Sequence, residues 1–471
     1  MNCSFEVSGR AARTTQMDPH APPSPRILVA IASHGVANDV HLRRVIAAYR
    51  AMPFVVDIVV FSNIAKKLGD DVSVRVEPPP VKDPWSLPFL HKRLFVSCAD
   101  THDLFIYAED DILITERNLR AFLEVSALLR EDEIVGFVRY EEDSERHRSY
   151  PDFHWRYRWD PASVRTRDSL TLAHFTNAHS ACYVLTRAQL KRAIASGGFD
   201  VTPHQEVYDL LCAASTDPYT QCGFTKLIPI SRFNDFVVHH LSNKYAGKVG
   251  LSQAELDRQM ETLRRIGGPK ARKLFTTDSK LWQARHSKDL YAPTIDEVVA
   301  AVPRRARVLS IGAARGATER RLIDRECSVA ALPLDPVFGE ALAHNGVTIV
   351  EGDLAAAKTA LEGATFDVLL FLDVLEFVQE PADLIRRFLS LLAPDGAVII
   401  SAPNLPRLRY LRRTLRLWRG FDETGVHPTS AWTLRRWCGR AGLQVTKVAR
   451  RPASQPWFVP AQDLVVIARK S

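Results

Sequence analysis

Three carboxylates, Glu109, Asp110 and Asp111, follow one another in the stretch "LFIYAEDDILIT" (104–115). The apolar run before them is short and continuous, which is typical of a central strand in a parallel sheet. Adjacent carboxylates repel one another, and burying one without a partner is costly. A divalent cation would relieve the repulsion, and oxygen ligands of this kind suit Mg²⁺ or Mn²⁺. The stretch therefore predicts a metal site. The alternative is that one acid caps the next helix, another pairs with an arginine and the third is solvated.

The elements that would position these acids alternate between strands and helices. This alternation predicts an α/β sheet whose ligand lies at the carboxyl ends of its strands. After Pro303 a second series begins with "ARVLSIG" and predicts a second doubly wound sheet. The expected elements of the first series are a strand "RILVAIAS", a helix at 38–51, strands at 55–62 and 72–76, and a helix at 89–99.

Length and composition limit the class of protein. A chain of 471 residues is long enough for two or three domains. Its net charge of +8 suits an anionic ligand or a membrane surface and is too small to indicate nucleic acid. No apolar run approaches the roughly 20 residues of a membrane span. The seven cysteines are scattered without a CxxC pair, which predicts free thiols in a reducing compartment. We therefore expect a cytoplasmic protein.

Shifts in composition suggest four regions. Residues 1–25 lack the apolar core of a signal peptide and predict a disordered leader. Residues 26–250 contain the first strand–helix series. Residues 251–303 are polar, rich in Lys, Arg and Gln, and are expected to form a helical connector. Residues 304–471 contain the second series, so that the fold class is α/β with two doubly wound domains.

The acidic stretch resembles the metal-binding signature of GT-A glycosyltransferases, which is commonly Asp-x-Asp, with Glu-Asp-Asp as a variant. The resemblance extends over about residues 26–246 and implies a Rossmann-like GT-A domain. It implies that Asp111 holds Mn²⁺ or Mg²⁺ on the diphosphate of a nucleotide-sugar. Glu109 and Asp110 would then contact the ribose or a metal-bound water.

Further stretches share this resemblance. "SLPFLHKRLF" (86–95) resembles the segment in which a histidine and an arginine approach the nucleotide-sugar, here His91 and Arg93. "FVVHHLSNKY" (236–245) resembles the element that returns a histidine to the metal, which implies His240 as the ligand and His239 as the second choice. "FTNAHSACYVLTRAQL" resembles the acceptor-side segment.

The catalytic base is less clearly marked. An inverting transferase needs a carboxylate to deprotonate the acceptor hydroxyl. Glu206 and Asp209 are the candidates, and their spacing places them on one face if this stretch is helical. The alternative is a solvated helix face, and a retaining enzyme would need no such base.

The second half resembles class I S-adenosylmethionine-dependent methyltransferases. "RVLSIGAARGATERRL" (307–322) stands where that family has its glycine-rich first loop, and the similarity covers about residues 304–450. It implies a Rossmann-like sheet in which Gly312 and Gly316 let the backbone approach the cofactor. Asp353 would face the adenine.

The second half also departs from that family. Ser310 stands where the first strand usually carries an acid, and Ala314 where a glycine is usual. The ribose-binding acid falls on Pro333, although Asp335 two residues later lies on the same face of a strand and could substitute. Phe377 replaces the usual histidine of a Leu-Glu-His pattern.

The stretch "YPDFHWRYRWDP" (150–161) alternates aromatic and basic residues. A period of two predicts a strand with one aromatic and one basic face. The aromatic face could stack on acceptor sugar rings, or it could pack against the core.

These observations predict a metal-dependent glycosyltransferase that transfers a sugar from a nucleotide-sugar to a hydroxyl of a glycan or lipid-linked glycan, in surface polysaccharide assembly. The C-terminal domain would methylate the product. One alternative is a catalytically silent methyltransferase-like docking module, and another is that the methyltransferase is the only active domain. Basic "NLPRLRYLRRTLRLWRG" (404–420) could contact a membrane surface, although a solvated flank is favoured. No nucleic acid partner is expected.

Overall fold

A computed structural model describes residues 24–271, 273–275, 279–281, 286–404, 420–452 and 462–470. The leader expected at 1–25 and the basic stretch at 404–420 therefore lie almost entirely outside the described residues. The chain divides into two compact units. The first unit contains the chain up to Phe153 together with Arg158–Asp160 and Arg165–Leu256, and the second contains His154–Tyr157, Pro161–Val164 and the chain from Asp257 onward.

The described residues of the first unit form fourteen short strands and five α-helices, and a sixth α-helix begins in this unit and ends in the second. The strands are β1 Arg26–Ser33, β2 Val55–Ser62, β3 Val72–Val76, β4 Leu104–Glu109, β5 Ile112–Leu113, β6 Glu133–Val135, β7 Val138–Glu142, β8 Arg148–Tyr150, β9 Trp159–Arg167, β10 Leu170–Phe175, β11 Cys182–Thr186, β12 Thr225–Pro229, β13 Val237–His240 and β14 Leu251–Ser252. The helices are α1 Asp39–Ala51, α2 Leu90–Ser97, α3 Glu116–Ser126, α4 Arg187–Ala195, α5 Leu210–Thr220 and α6 Gln253–Ile266.

The central sheet of the first unit has the order β11-β4-β1-β2-β3. Its strands β1 to β4 run parallel, and β11 runs antiparallel to β4. Residues 27–31 of β1 and 105–108 of β4 are completely buried, as their unbroken apolar sequences predict. The strand order reverses between β1 and β4, and ligands of doubly wound sheets bind at such a point. Glu109 is the last residue of β4, and Asp110 and Asp111 follow it, so the three adjacent acids lie at this point.

Two smaller sheets complete the first unit. One has the order β6-β12-β10-β9 and the other β14-β8-β7-β13-β5. In the second of these, β13 pairs with β5 so that His240 lies opposite Ile112. This pairing returns the histidine to the residues that immediately follow the acids.

The second unit contains one seven-stranded sheet of order β17-β16-β15-β18-β19-β21-β20. The strands β15 to β19 are mutually parallel, and β21 is antiparallel to both of its neighbours. The order reverses between β15 and β18. The elements are α7 Asp296–Ala301, β15 Arg307–Ala313, α8 Ala317–Ile323, β16 Ser328–Pro333, α9 Pro336–His344, β17 Thr348–Ile349, α10 Leu354–Ala360, β18 Phe366–Leu372, α11 Pro381–Phe388, β19 Leu392–Ala402, α12 Phe421–Thr424, α13 Ala431–Arg440, β20 Leu443–Pro452 and β21 Gln462–Lys470.

The predicted mixed α/β class is confirmed, with several sheets and a doubly wound sheet in the second unit. The GT-A assignment of the first unit stays a prediction. Of the expected helical connector, the structure describes α6 and the short α7, and no α-helix or strand occurs among the described residues between them. Within the described ranges, no helix has the length and apolar character needed to cross a membrane.

Two local expectations are wrong. Residues 151–158 form turns and not a strand, and Trp155 has a positive φ of 54° that a strand cannot contain. The cysteines are not uniformly free, because Cys98 is disulfide-bonded. The free thiols among the described residues are Cys182, Cys212, Cys222, Cys327 and Cys438.

Candidate functional sites

Asp110, the middle acid of the row, is held by the end of β1 and the start of α1. Its two carboxylate oxygens accept hydrogen bonds from Ser33 Oγ (2.6 Å) and Asn38 Nδ2 (2.7 Å). Burial raises the pKa of Asp110, while these hydrogen bonds oppose the rise. The alternative in which one of the acids caps the following helix is wrong, because Thr115 and Asn118 form a capping box at the start of α3.

Asp111 belongs to a buried chain of carboxylate, imidazole and carboxylate. Its Oδ2 lies 3.1 Å from His240 Nε2, and His240 Nδ1 lies 2.6 Å from Glu141 Oε1. Burial alone would lower the pKa of His240, but the hydrogen bonds to Asp111 and Glu141 raise it overall. Burial likewise works against the ionised form of Asp111, and the hydrogen bond from His240 lowers its pKa below the usual value. The imidazole is therefore fixed between two carboxylates, which favour its protonated form.

Glu109 is the acid whose cost of burial is not relieved. Its Oε1 is buried and has no hydrogen-bond partner among the described residues. Burial, followed by the charge of Asp111, raises the pKa of Glu109 to about 8. A buried polar atom without a partner calls for an explanation such as an ion or a ligand.

The donor types at this strand end suit a hard cation, because carboxylate oxygens and an imidazole nitrogen are common metal ligands. Glu141 on the far nitrogen of His240 is the kind of partner that orients a metal-binding histidine. The unpartnered Glu109 Oε1 also fits an ion. However, no group of three or more His, Cys, Asp or Glu in the described part of the chain is already arranged to hold one. A metal at His240 Nε2 would have to replace the present contacts of this nitrogen with Asp111 Oδ2 and Ser242 Oγ.

The two residues expected at the nucleotide-sugar lie apart from each other. His91 is buried, its Nδ1 contacts the carbonyl oxygen of Pro88, and its Nε2 contacts the hydroxyl of Tyr183. Its ring stacks on Tyr107 with centroids 4.2 Å apart, and burial holds its pKa well below the usual value. Arg93, two residues further along α2, is exposed. His91 is thus a packed core residue, and the structure does not bring the two side chains together.

The candidate bases Glu206 and Asp209 do not share a helical face, so this part of the prediction is wrong. The helix begins only at Leu210, and Asp209 is its N-cap, accepting a hydrogen bond of 2.8 Å from the amide of Cys212. Glu206 lies in the preceding loop, is exposed, and accepts a hydrogen bond of 3.1 Å from Gln221 Nε2. The shared helical face on which their expected role as bases depended is therefore absent.

In the second unit, the candidate cofactor residues follow the carboxyl ends of three adjacent parallel strands. Gly312 and Gly316, at the end of β15, have φ of 77° and 80°. Both values fall in the left-handed region that favours glycine. Asp335 follows β16 and accepts hydrogen bonds from two amides of α9, and Asp353 follows β17 and caps α10 in the same way. The sheet therefore places all four on one edge.

The acid that is absent at position 310 is supplied from a helix. Ser310 Oγ donates a hydrogen bond of 2.7 Å to Glu319 Oε1, and both residues are buried. Close by along the same edge, the ammonium of Lys288 donates to the carbonyl oxygen of Leu372 at the end of β18. The carboxyl edge of the sheet in the second unit therefore has carboxylates, although its first strand, β15, carries none.

Comparison with known protein families decides the nature of the second unit. Residues 283–448 match a family described as "Methyltransferase domain". These residues are a class I methyltransferase domain. The match includes Gly312, Gly316, Asp335 and Asp353 and extends over strands β15 to β19. No curated protein matches the chain.

Solved structures similar to this chain include several methyltransferases. The mitomycin 7-O-methyltransferase MmcR is 19% identical over 37% of this chain and 52% of its own, with a TM-score of 0.29. An O-methyltransferase family protein from Burkholderia thailandensis is 19% identical over 37% of this chain and 55% of its own, with a TM-score of 0.28. The chain thus spans about half the length of these two proteins.

Several residues at the two candidate sites were not predicted from the sequence. In the methyltransferase domain these are Lys288, Glu319 and Glu376. In the first unit, Glu141 was missed. Glu319 lies in the glycine-rich stretch 307–322, and Glu376 lies beside Phe377 in the altered Leu-Glu-His pattern. Each is an acid close to a departure from the family pattern, and this closeness could have identified it. Lys288 and Glu141 carry no such signal, because only tertiary contacts bring them to their sites.

Proposed function

We propose that the methyltransferase domain transfers a methyl group from S-adenosylmethionine to an acceptor nucleophile. The observation that carries this proposal is the family match over residues 283–448, which contains the complete strand edge described above. The strand order reverses beside Gly312, at the position where doubly wound sheets bind their ligands.

When bound, S-adenosylmethionine would supply a methyl group on a positively charged sulfur, ready for transfer to a lone pair of the acceptor. The residues of this chain bind and orient. Gly312 would allow the backbone to approach the cofactor, and Asp335, just after β16, would offer it a carboxylate. The carboxylates along the edge give it the negative charge that suits a cationic ligand.

Replacing Asp335 with asparagine is expected to weaken binding of S-adenosylmethionine about 10- to 150-fold, the effect of losing a charged hydrogen bond. Asparagine keeps an oxygen that can cap α9, so the fold should be retained. Isothermal titration of the full-length wild-type chain and the variant measures the difference. Unchanged affinity would remove Asp335 from the site. Absence of binding heat from the wild-type chain would contradict the proposed function and favour a silent docking module.

We further propose that the first unit transfers a sugar from a nucleotide-sugar with the help of Mn²⁺ or Mg²⁺. The observation that favours this function is the buried, unpartnered Glu109 Oε1 beside the Asp111–His240 pair, at the point where the strand order reverses. Asp111 and His240, together with Glu109, would hold the ion. Bound there, it would neutralise charge on the leaving diphosphate. Addition of a sugar by one unit and its methylation by the other would suit the assembly of a surface polysaccharide, by analogy.

Replacing Asp111 with alanine is expected to abolish metal-dependent binding of nucleotide-sugar, because it removes a central oxygen ligand. Removing one of three repelling acids should leave the fold intact. A panel of sugar nucleotides is screened with Mn²⁺ by thermal shift, and the stabilisation seen with wild type should disappear. Asp100→Ala, which removes an exposed carboxylate paired with Lys191, is the matched control. A variant that binds sugar nucleotide as wild type does would rule out this metal site.

A further inference from the structure

The methyltransferase domain contains a buried ammonium, that of Lys288, with three acidic residues near it at the carboxyl edge of the sheet. Lys288 Nζ donates to the carbonyl oxygen of Leu372, the last residue of β18. Burial lowers the pKa of Lys288, while the charges of Asp373, Glu319 and Glu376 oppose this shift. We call the Leu372 carbonyl and these three carboxylates the cation cradle.

The cation cradle has hydrogen-bonding capacity that Lys288 does not use. Glu319 Oε1 accepts from Ser310 Oγ, and Asp373 Oδ1 accepts from Ser401 Oγ at 2.8 Å. Glu376 is 1% exposed, and its Oε2 has no hydrogen-bond partner within the described ranges. Burial and the charge of Asp373 raise the pKa of Glu376 well above its usual value. A buried polar atom that is unpartnered in this way calls for an explanation such as a bound ligand.

The location of the cradle is that of a ligand site. Leu372 ends β18 and Asp373 follows it, Gly312 lies one residue before the end of β15, and the strand order reverses between these two strands. Lys288 itself comes from the chain before α7, outside the sheet. Its side chain can therefore leave the cradle without breaking any strand pairing.

We propose that Lys288 is an internal substitute for the positively charged group of the cofactor, which displaces its ammonium from the cation cradle on binding. The inference rests on the proposed binding of S-adenosylmethionine. This cofactor carries two cations, a sulfonium and an α-ammonium, and either matches the chemistry of the cradle. The site must release Lys288 before the cofactor can bind. The apparent affinity for S-adenosylmethionine is therefore the intrinsic affinity multiplied by the fraction of protein in which the cradle is open.

The test is the affinity of the full chain for S-adenosylmethionine after Lys288→Ala. We expect Kd to fall about 10- to 150-fold, because the cofactor no longer competes with the charged hydrogen bond that Lys288 makes in the cradle. Lys288→Met keeps most of the side-chain volume and should show the same direction if the alanine variant folds poorly. Lys280→Ala is the matched control, since Lys280 lies nearby in sequence, is exposed, and donates to the carbonyl oxygen of Asp422. Its Kd should equal that of wild type.

S-adenosylhomocysteine separates the two cations, because it keeps the α-ammonium and lacks the sulfonium. An equal gain for both ligands in Lys288→Ala would assign the α-ammonium to the cradle, and a gain for S-adenosylmethionine alone would assign the sulfonium. The cradle is also tested without cofactor. Methylammonium should raise the Tm of Lys288→Ala and leave that of wild type unchanged, because it refills the vacated position.

Two results would overturn the proposal in distinguishable ways. If wild type binds S-adenosylmethionine and Lys288→Ala binds it equally or more weakly, displacement is wrong and the proposed function stands. If neither protein binds the cofactor, the proposed function fails and the displacement fails with it.

Discussion

Replacing Asp217 with alanine is expected to destabilise the first unit by about 3–5 kcal/mol, because it leaves a buried charge without its partner. The side chains of Lys92 and Asp217 are both completely buried and form an ion pair. Asp217 also accepts from His204 Nε2 at 3.0 Å. Burial lowers the pKa of Lys92 while Asp217 opposes the shift, so the ammonium depends on this carboxylate. Hydrogen exchange of the amides of β1 and β4 measures the loss as faster opening of the core.

Two further variants make this prediction specific. Lys92→Met combined with Asp217→Leu removes both charges and should recover much of the lost stability, since apolar residues of similar volume can replace a buried pair. Asp71→Ala breaks the Arg50–Asp71 pair, whose side chains are 34% and 49% exposed, and should cost less than about 1 kcal/mol. Equal costs for Asp217→Ala and Asp71→Ala would show that burial does not strengthen the first pair.

Replacing Gly312 with alanine is expected to destabilise the methyltransferase domain by about 2–5 kcal/mol, the sum of left-handed backbone strain and overpacking. A Cβ at this position would lie 2.7 Å from Phe275 and 2.9 Å from Val374, and φ is 77°. The backbone at the end of β15 would have to shift to accommodate the added Cβ. The affinity for S-adenosylmethionine should therefore fall as well. Hydrogen exchange of β15 and β18 and titration calorimetry measure the two effects.

Gly439→Ala is the matched control for this variant. Gly439 lies in α13, and an added Cβ would meet nothing within 4 Å. The substitution should stabilise the domain by about 0.5–1 kcal/mol, because alanine is the better helix former. If Gly312→Ala behaved like Gly439→Ala, the glycine would have no special role at the strand end.

Local sequence determined the elements around the first site. The expected strands at 55–62 and 72–76 coincide with β2 and β3, and the helix expected at 38–51 differs from α1 by one residue. Apolar runs and the polar residues that interrupt them are local properties, so their positions can be read directly. The same alternation correctly predicted the α/β class and the position of the three acids at a strand end.

Local patterns misled where the backbone turns. The alternation at 150–161 has the period of a strand, yet residues 151–158 form turns, in which Phe153 packs against Phe175 with ring centroids 4.3 Å apart. The spacing of Glu206 and Asp209 is helical, yet the helix starts only after them. Side-chain periodicity does not distinguish a regular element from a turn that buries the same residues.

Tertiary structure alone decided the partners at both sites. Glu141 and His240 are 99 positions apart and meet because β7 and β13 pair, and Lys288 and Leu372 are 84 positions apart. The acid missing from β15 is supplied by Glu319 through a hydrogen bond to Ser310 that no strand pattern specifies. The sequence by itself determined which residues form strands and where acids follow them. Strand register and packing decided which charges meet, because these depend on contacts between residues that are distant along the chain.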